Sequence, residues 1–322
     1  MSYAPLLQQL QNWLQQQLQS TEFDLQAITN DASFRRYFRI IHKNQTLIAM
    51  VAPPDKENIQ IFIDKAQIFK TLHLQVPKIL ARDIKNGFLL LSDLGNDLYS
   101  RILNSENSTP LYDLAIATLF TIQTYAPDDA KVLPPYDEAL LMRELQLFPT
   151  WYLPPHLKTN ATLAALDKIF KLLIDAALNQ PQVLIHRDYH SRNLLLLPNN
   201  QLGIVDFQDA VFGPITYDLV SLLRDCYITW SAETIENYLR QFYQHYSANK
   251  LKNTSYEEFV RWFDWMGLQR HLKVLGLFNR LAIRDNKPAY LQDLPRVVNY
   301  ARMISEKYRE FQELEEMLNS KF

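Results

Sequence analysis

Over the first twenty positions Leu6, Leu7, Leu10, Trp13, Leu14 and Leu18 recur at helical spacing, with glutamines filling the other face. That stripe predicts an amphipathic helix docked on a core. The pattern then shortens to strand-like runs at 37–41, 46–51 and 88–92, separated by turn-forming residues at 42–45 and 52–55. Between them Ile59, Phe62, Ile63, Ala66, Ile68 and Phe69 follow a helical period, so 20–95 reads as a small sheet with one helix. After Gly95 helical patterns dominate, at about 111–125, 137–149, 160–179, 216–227, 232–248, 255–284 and 295–319. The last carries Tyr300, Met303, Ile304, Tyr308, Phe311, Leu314 and Leu318 on one stripe. The exception is 183–209, where VLIH, NLLLL and LGIVDF read as short buried strands joined by polar loops. The prediction is an α+β chain: a small sheet lobe over 1–95, led by the amphipathic helix, and a larger helical lobe over 96–322.

Composition narrows the function. The chain has 322 residues, enough for a large core, and its 48% hydrophobic and 21% charged shares are globular values. Its 33 basic and 35 acidic residues leave a formal net charge of −2, which argues against a phosphate-neutralising nucleic-acid binder. None of the six glycines lies close enough to another to build a glycine-rich phosphate loop. A single cysteine, Cys226, excludes an internal disulfide and a CxxC motif and fits a reducing compartment. The start of the chain lacks the basic and apolar regions of a signal peptide, and no stretch approaches the roughly twenty apolar residues of a membrane span. The expectation is a cytoplasmic monomer without nucleic-acid or membrane partners. The seven histidines show no zinc-ligand spacing.

The polar chemistry concentrates between two apolar runs, in LIHRDYHSRNL (184–194) and GIVDFQD (203–209). Buried carboxylates must be paired or bound to a cation. Asp188, Asn193 and Asp206 are oxygen donors of the kind Mg²⁺ prefers. Asp188, on a loop between strands, is placed to accept a proton from a hydroxyl. Asn193, five residues on, and Asp206, thirteen further, are placed to reach one metal. The H-x-D-x-x-x-x-N spacing followed by Asp-Phe is the set used for phosphoryl transfer. The alternative is a polar loop of ordinary Asx turns, which a lone HxD would favour.

HRDYHSRN with IVDFQDAVFGPITYDLVSLLRD resembles the aminoglycoside phosphotransferase-like kinases, which share the protein-kinase-like fold. The resemblance spans roughly 20–310. Within it NDASFRRYFRI (30–40), APPD (52–55), LPPYDEALLMRELQLFPTWYL (133–153), FQDAVFGPITYDLVSLLRD (207–225) and WMGLQRHLKVLGLFNRLAIRD (265–285) are similar to bacterial kinases of cell-wall recycling. Those kinases phosphorylate the anomeric hydroxyl of N-acetylmuramate and N-acetylglucosamine. The resemblance implies ATP as co-substrate, Asp188 as catalytic base or orienter of the hydroxyl, and Asn193 and Asp206 as magnesium ligands. It also implies Asp218 as a carboxylate bracing the catalytic loop, compatible with a helix N-cap, and His186 as a bracing histidine rather than a base.

For the nucleotide, the resemblance points to the turn carrying Ala32, Ser33, Arg35 and Arg36, which has no glycine, and to an adenine-binding hinge at Leu91, Ser92, Asp93 and Leu94. A surface hairpin with solvated arginines is the bland reading of that turn. The following strand has Met50 near the place of the expected phosphate-pairing lysine, leaving Lys56, Lys65 and Arg39 as cations. For the sugar, Arg143, Arg192 and Arg270 suit a lactyl carboxylate, and Glu144, Asp209 and Gln269 suit hydroxyls or the acetamide. Trp151, Trp262 and Trp265 read as core or as a stacking surface. Two rival readings keep the fold: a kinase of another small hydroxyl compound (an aminoglycoside, choline or homoserine), or a catalytically silent binding protein.

Overall fold

The structure, a computed structural model, describes residues 3–28, 34–125 and 133–319. It divides into two compact units, Met1–Asp97 with Leu195–Gln208, and Leu98–Leu194 with Asp209–Phe322.

The first unit begins with helix α1 (Tyr3–Leu18) and strands β1 (Asp24–Ile28), β2 (Arg36–His42) and β3 (Gln45–Val51). Helix α2 (Ile59–Thr71) and strands β4 (Ile79–Asp83) and β5 (Phe88–Ser92) follow. The five strands form one antiparallel sheet in the order β1-β2-β3-β5-β4. Leu10, Trp13 and Leu14 of α1 pack on Phe38, Ile40, Ala49, Val51, Phe88 and Leu90. Burying each of those two leucines contributes about 1.5–3 kcal/mol, which docks a helix whose glutamine face has nothing else to hold it. The sequence pattern identifies β2, β3 and β5 and misses β1 and β4. Both missed strands are edges with mostly exposed or half-buried residues, so neither carries an apolar run. Asn58 caps α2 by accepting the Gln60 N–H at 2.9 Å, worth about 1 kcal/mol.

The second unit holds α3 (Tyr99–Ile102), α4 (Ser108–Gln123), α5 (Glu138–Leu145), α6 (Asn160–Leu178) and β6 (Gln182–Ile185). The hairpin β7 (Leu194–Leu196) and β8 (Leu202–Ile204) leads back into the first unit, where the Ile204 N–H donates to the Gln75 carbonyl at 2.8 Å. The chain continues with β9 (Val211–Pro214), antiparallel to β6, and with α7 (Tyr217–Leu223) and α8 (Ala232–Tyr246). It closes with α9 (Tyr256–Ile283), α10 (Leu294–Lys307) and α11 (Gln312–Asn319). Strand β9 lies beyond the strand signals read from the sequence.

Helix α9 is the spine of this unit. It runs 28 residues, about 42 Å at 1.5 Å per residue. Ser255 caps it by accepting the Glu258 N–H at 3.1 Å, in an S-x-x-E pattern. A Cβ at Gly276 would stand 2.2 Å from the Leu147 carbonyl, so glycine lets the turn before the π-helical segment Phe148–Tyr152 lie against the helix. Two expected helices are interrupted. The 137–149 stretch ends as α5 and passes into that π-helical turn. The 295–319 stretch breaks at Tyr308, whose backbone is extended (φ −120°, ψ 121°) and whose hydroxyl donates to Asp264 at 2.7 Å. Among the described residues no helix is long and apolar enough to cross a membrane.

Candidate active site

In the second unit, β6 delivers the loop 186–193. The loop turns sharply, with Arg187 in the left-handed region (φ 74°), a conformation costing a non-glycine residue on the order of 1–3 kcal/mol. The Asp218 carboxylate, at the start of α7, holds the turn by accepting the His186 N–H at 2.6 Å and the Arg187 N–H at 3.0 Å. Beyond the other end of α7, Asp225 accepts the Ser191 N–H at 3.0 Å and the Tyr227 N–H at 2.9 Å. Three backbone donors of the loop, the N–H groups of His186, Arg187 and Ser191, thus go to two fully buried carboxylates. Burial pushes the Asp218 carboxyl up, to about 7, in spite of the two N–H donors that favour its charged form. His186, also fully buried, accepts the Asp188 N–H at Nδ1, 3.2 Å. Asn193 Nδ2 donates to the Asp188 carbonyl at 2.9 Å, and the Tyr189 hydroxyl donates to the Ala115 carbonyl at 2.9 Å. Asp218→Ala leaves two buried N–H groups without an acceptor, so it lowers stability by about 2–4 kcal/mol, read as a reduced urea midpoint, and turnover falls with it. A midpoint equal to wild type would mean the carboxylate does not hold the loop.

The Asp188 carboxylate is different. It is half-buried and accepts no hydrogen bond among the described residues. Burial raises its pKa, but the charges of Lys273, His190, Arg187 and Arg270 outweigh that and hold it at about 2. It is an ionised oxygen pair left open for a donor. Next to it, buried Glu144 binds Arg187, Lys273 at 2.9 Å and the Tyr136 hydroxyl. Gln269 Nε2 donates to the Tyr136 hydroxyl at 3.3 Å. Burial pushes the Glu144 carboxyl up, and Lys273 and Arg187 overcome it and hold it low. The Arg192 guanidinium lies 3.5 Å from the Tyr227 ring centroid and 3.5 Å from Asp293. Arg270 is buried beside Cys226.

Of the residues expected near the sugar, Glu144, Gln269, Arg192 and Arg270 thus belong to the surroundings of the loop. Asp209 is exposed and offers its backbone carbonyl to Arg187 at 3.3 Å. Arg143 is exposed on the side of α5 away from Glu144 and makes no ion pair or hydrogen bond among the described residues. Trp265 packs edge-on against Phe311 and Tyr308. With Trp262 it lines a groove of about 660 Å³ that contains none of the loop residues. Sequence reasoning missed Lys273, Asp225 and Tyr136. Lys273 shares a face of α9 with Gln269 and Arg270, so the helical period held the signal. Asp225 closes the quoted segment LLRD.

In the first unit, the segment expected to receive adenine is clamped from β2. Arg39 donates to both oxygens of Asp93, at 2.6 and 3.0 Å, to Asn96 at 2.6 Å and to the Gly95 carbonyl at 3.1 Å. Ser92 Oγ accepts the Lys78 N–H at 2.8 Å, Leu91 is buried on β5, and Leu94 packs beside Gly203. Ala32 and Ser33 lie outside the described residues. Arg35 pairs with Glu57 at 3.1 Å, and Arg36 is exposed on β2. Asp206 is exposed, left-handed (φ 66°) and accepts from Gln208 Nε2 at 2.7 Å. It stands close enough to Tyr37 that, after burial, its charge raises that phenol further. Phe207 contacts the rings of Phe62 and Phe69 at 4.9 and 5.4 Å, which ties Asp206 to α2. Among the candidate phosphate cations, Arg39 is committed to that segment and Lys56 is exposed beside Asp55. Lys65 is 3% exposed on the same face of α2 as Phe62 and Phe69.

Asn193 in the second unit and Asp206 in the first each offer an oxygen of the kind magnesium takes. With Nδ2 engaged, the Asn193 amide leaves Oδ1 without a hydrogen bond among the described residues, and Asp206 is an exposed carboxylate. Magnesium takes one or two such oxygens and completes its shell with water and phosphate. Among the described residues no cluster of three or more His, Cys, Asp or Glu offers a complete metal cage.

Residues 24–251 match the phosphotransferase enzyme family. The chain belongs to that family. This phosphotransferase is 44% identical over 296 residues, 91% of its own chain and 87% of the other, to the N-acetylmuramate/N-acetylglucosamine kinase of Pseudomonas aeruginosa. It is 38% identical over 318 residues, 96% and 94% of the two chains, to the kinase of that name from Neisseria meningitidis. Among solved structures, the gentamicin-APH(2")-IIa complex superimposes with a TM-score of 0.63 at 14% identity, covering 90% of this chain and 95% of the other. That likeness is one of fold, and it agrees with the α+β, protein-kinase-like architecture expected from the sequence. The phosphotransferase is an ATP-dependent small-molecule kinase with a hydroxyl group as acceptor.

Proposed function

We propose that this kinase transfers the γ-phosphoryl group of ATP to the anomeric hydroxyl of N-acetylmuramate, N-acetylglucosamine or both, in peptidoglycan recycling. The observation that carries the reading is the 38–44% identity, over nearly the whole chain, to kinases of that name. The geometry around Asp188 supports it. An open carboxylate orients the sugar hydroxyl, and the pinned loop keeps it in place at no cost during the reaction. Lys273, Arg187 and Arg270 hold that carboxylate ionised. Arg187 and Lys273 are matched by Glu144, which leaves Arg270 as the cation that suits an anionic sugar. Asn193 of the second unit, through its amide oxygen, and Asp206 of the first, through its carboxylate, would serve as magnesium ligands, and the ion would supply charge neutralisation for the phosphates. Residues 1–95 act as the nucleotide lobe, with the hinge at Leu91–Leu94 receiving adenine, and 96–322 act as the catalytic and sugar-binding lobe. Lys65 is the cation that stands in for the lysine absent at Met50. The buried free thiol of Cys226 supports work in the cytoplasm.

Incubation with ATP, Mg²⁺ and either sugar tests the reading. The expected product is a sugar 1-phosphate, seen by phosphorus NMR as a phosphate coupled to the anomeric proton. Phosphate on another position, or ADP release only with an aminoglycoside or choline, would overturn it.

A further inference from the structure

Arg187, Arg192, Arg270 and Lys273 surround the catalytic loop, and three of them have carboxylate partners. Arg187 and Lys273 share Glu144, and Arg192 lies 3.5 Å from Asp293. Arg270 has none. Among the described residues no carboxylate lies within ion-pair distance of it, and its side-chain hydrogen bond goes to the Cys226 sulfur at 3.5 Å. Yet it is only 3% exposed. A buried guanidinium without a counter-ion is costly to keep. Asp188 feels the charge of Arg270 but makes no ion pair with it among the described residues, and the other neighbouring carboxylates are already engaged. Asp218 and Asp225 accept backbone N–H groups, and Asp293 also serves Arg296 at 3.2 Å. The other buried arginine among the described residues, Arg224, is matched by Asp264 at 2.5 Å. Arg270 lies one turn before Lys273 on α9, and the charges of both act on the Asp188 carboxyl. It is therefore a cation kept for a ligand beside the residue that orients the hydroxyl.

The two proposed sugars differ in one group. N-acetylmuramate carries a lactyl ether whose carboxylate N-acetylglucosamine lacks. A guanidinium fork pairs with a carboxylate through two parallel hydrogen bonds and discriminates against a ligand that leaves it unmatched. We propose that Arg270 binds the lactyl carboxylate of N-acetylmuramate and sets the preference between the two sugars. The inference rests on the amino-sugar kinase reading above. The competing use of such a cation is the transferring phosphoryl group, which both sugars share.

The test is a double comparison in the full-length enzyme. Arg270→Gln is expected to lower kcat/KM for N-acetylmuramate by about 10- to 100-fold more than for N-acetylglucosamine, mainly through KM. Arg270→Lys keeps a charge but not the fork, and should fall between. With wild-type enzyme, the N-methylamide of N-acetylmuramate, which is neutral, should lose a similar factor, and in Arg270→Gln the acid and the amide should become equivalent. An equal fall for both sugars, concentrated in kcat, would assign Arg270 to the phosphoryl group and overturn the proposal. So would an acid-to-amide difference that survives the substitution. If Arg270→Gln fails to fold, the acid-to-amide comparison in wild type and Arg270→Lys decides: no preference for the acid in wild type rejects the idea. Wild-type enzyme that phosphorylates neither sugar would instead sink the function reading itself.

Discussion

Asp188→Asn lowers kcat by about 10²- to 10⁴-fold and leaves the fold standing. The fold survives because the carboxylate accepts no hydrogen bond that holds the loop, and what the variant loses is a charge interaction only. The backbone of Asp188 is tied to His186 and Asn193, while its side chain accepts no hydrogen bond among the described residues. Activity falls because an amide cannot supply the charge that orients the hydroxyl and receives its proton. Held at about 2, the carboxyl is a weak base before the reaction begins. That suits phosphoryl transfer through a loose transition state, where positioning comes first and the proton leaves late. An acid limb in kcat/KM between pH 5 and 8 therefore does not come from Asp188. Its depressed pKa contributes stability above about pH 4, and that contribution is lost as pH falls towards about 2. The stability gap between wild type and Asp188→Asn should close over that interval in urea titrations. Near-wild-type turnover in the variant would remove Asp188 from the mechanism.

Asp206→Asn lowers turnover with MgATP by about 10³-fold and raises the magnesium concentration needed for half-maximal rate. Asparagine is the informative replacement because Asp206 is left-handed, at φ 66°. Asparagine tolerates that conformation and alanine does not, so a loss with asparagine reports on charge rather than on the turn. Phe207 stays gripped by Phe62 and Phe69 in either case, which keeps the segment in place. The measurement is initial rate against magnesium at fixed ATP, with a melting curve for each protein. A magnesium dependence identical to wild type would argue that Asp206 holds no metal.

The parts of this protein legible along the chain are those whose signal is local. The α1 stripe, the central strands β2, β3 and β5, and the spacing from Asp188 through Asn193 to Asp206 each lie within a short segment. A short loop places its own residues with little help from elsewhere. The edge strands β1 and β4 were not legible, since half their residues face solvent and any apolar alternation is diluted. The break at Tyr308 was hidden by an unbroken stripe, and the residue its hydroxyl binds there, Asp264, lies 44 residues earlier. Arg143 and Glu144 looked alike as neighbouring polar residues, and only the packing of α5 buries one and leaves the other in solvent.

The residues proposed to carry the chemistry, Asp188, Asn193 and Asp206, were therefore written in the order of the chain. How they are charged was not. Glu144 meets Lys273 across 129 positions and Arg187 across 43, and Asp225 meets Ser191 across 34. The same packing sets Lys273, Arg187 and Arg270 to hold the Asp188 carboxyl ionised, pins its loop and leaves Arg270 without a carboxylate partner among the described residues. Electrostatics in a buried site depends on distance and desolvation, and neither exists until helices α5, α7 and α9 have packed.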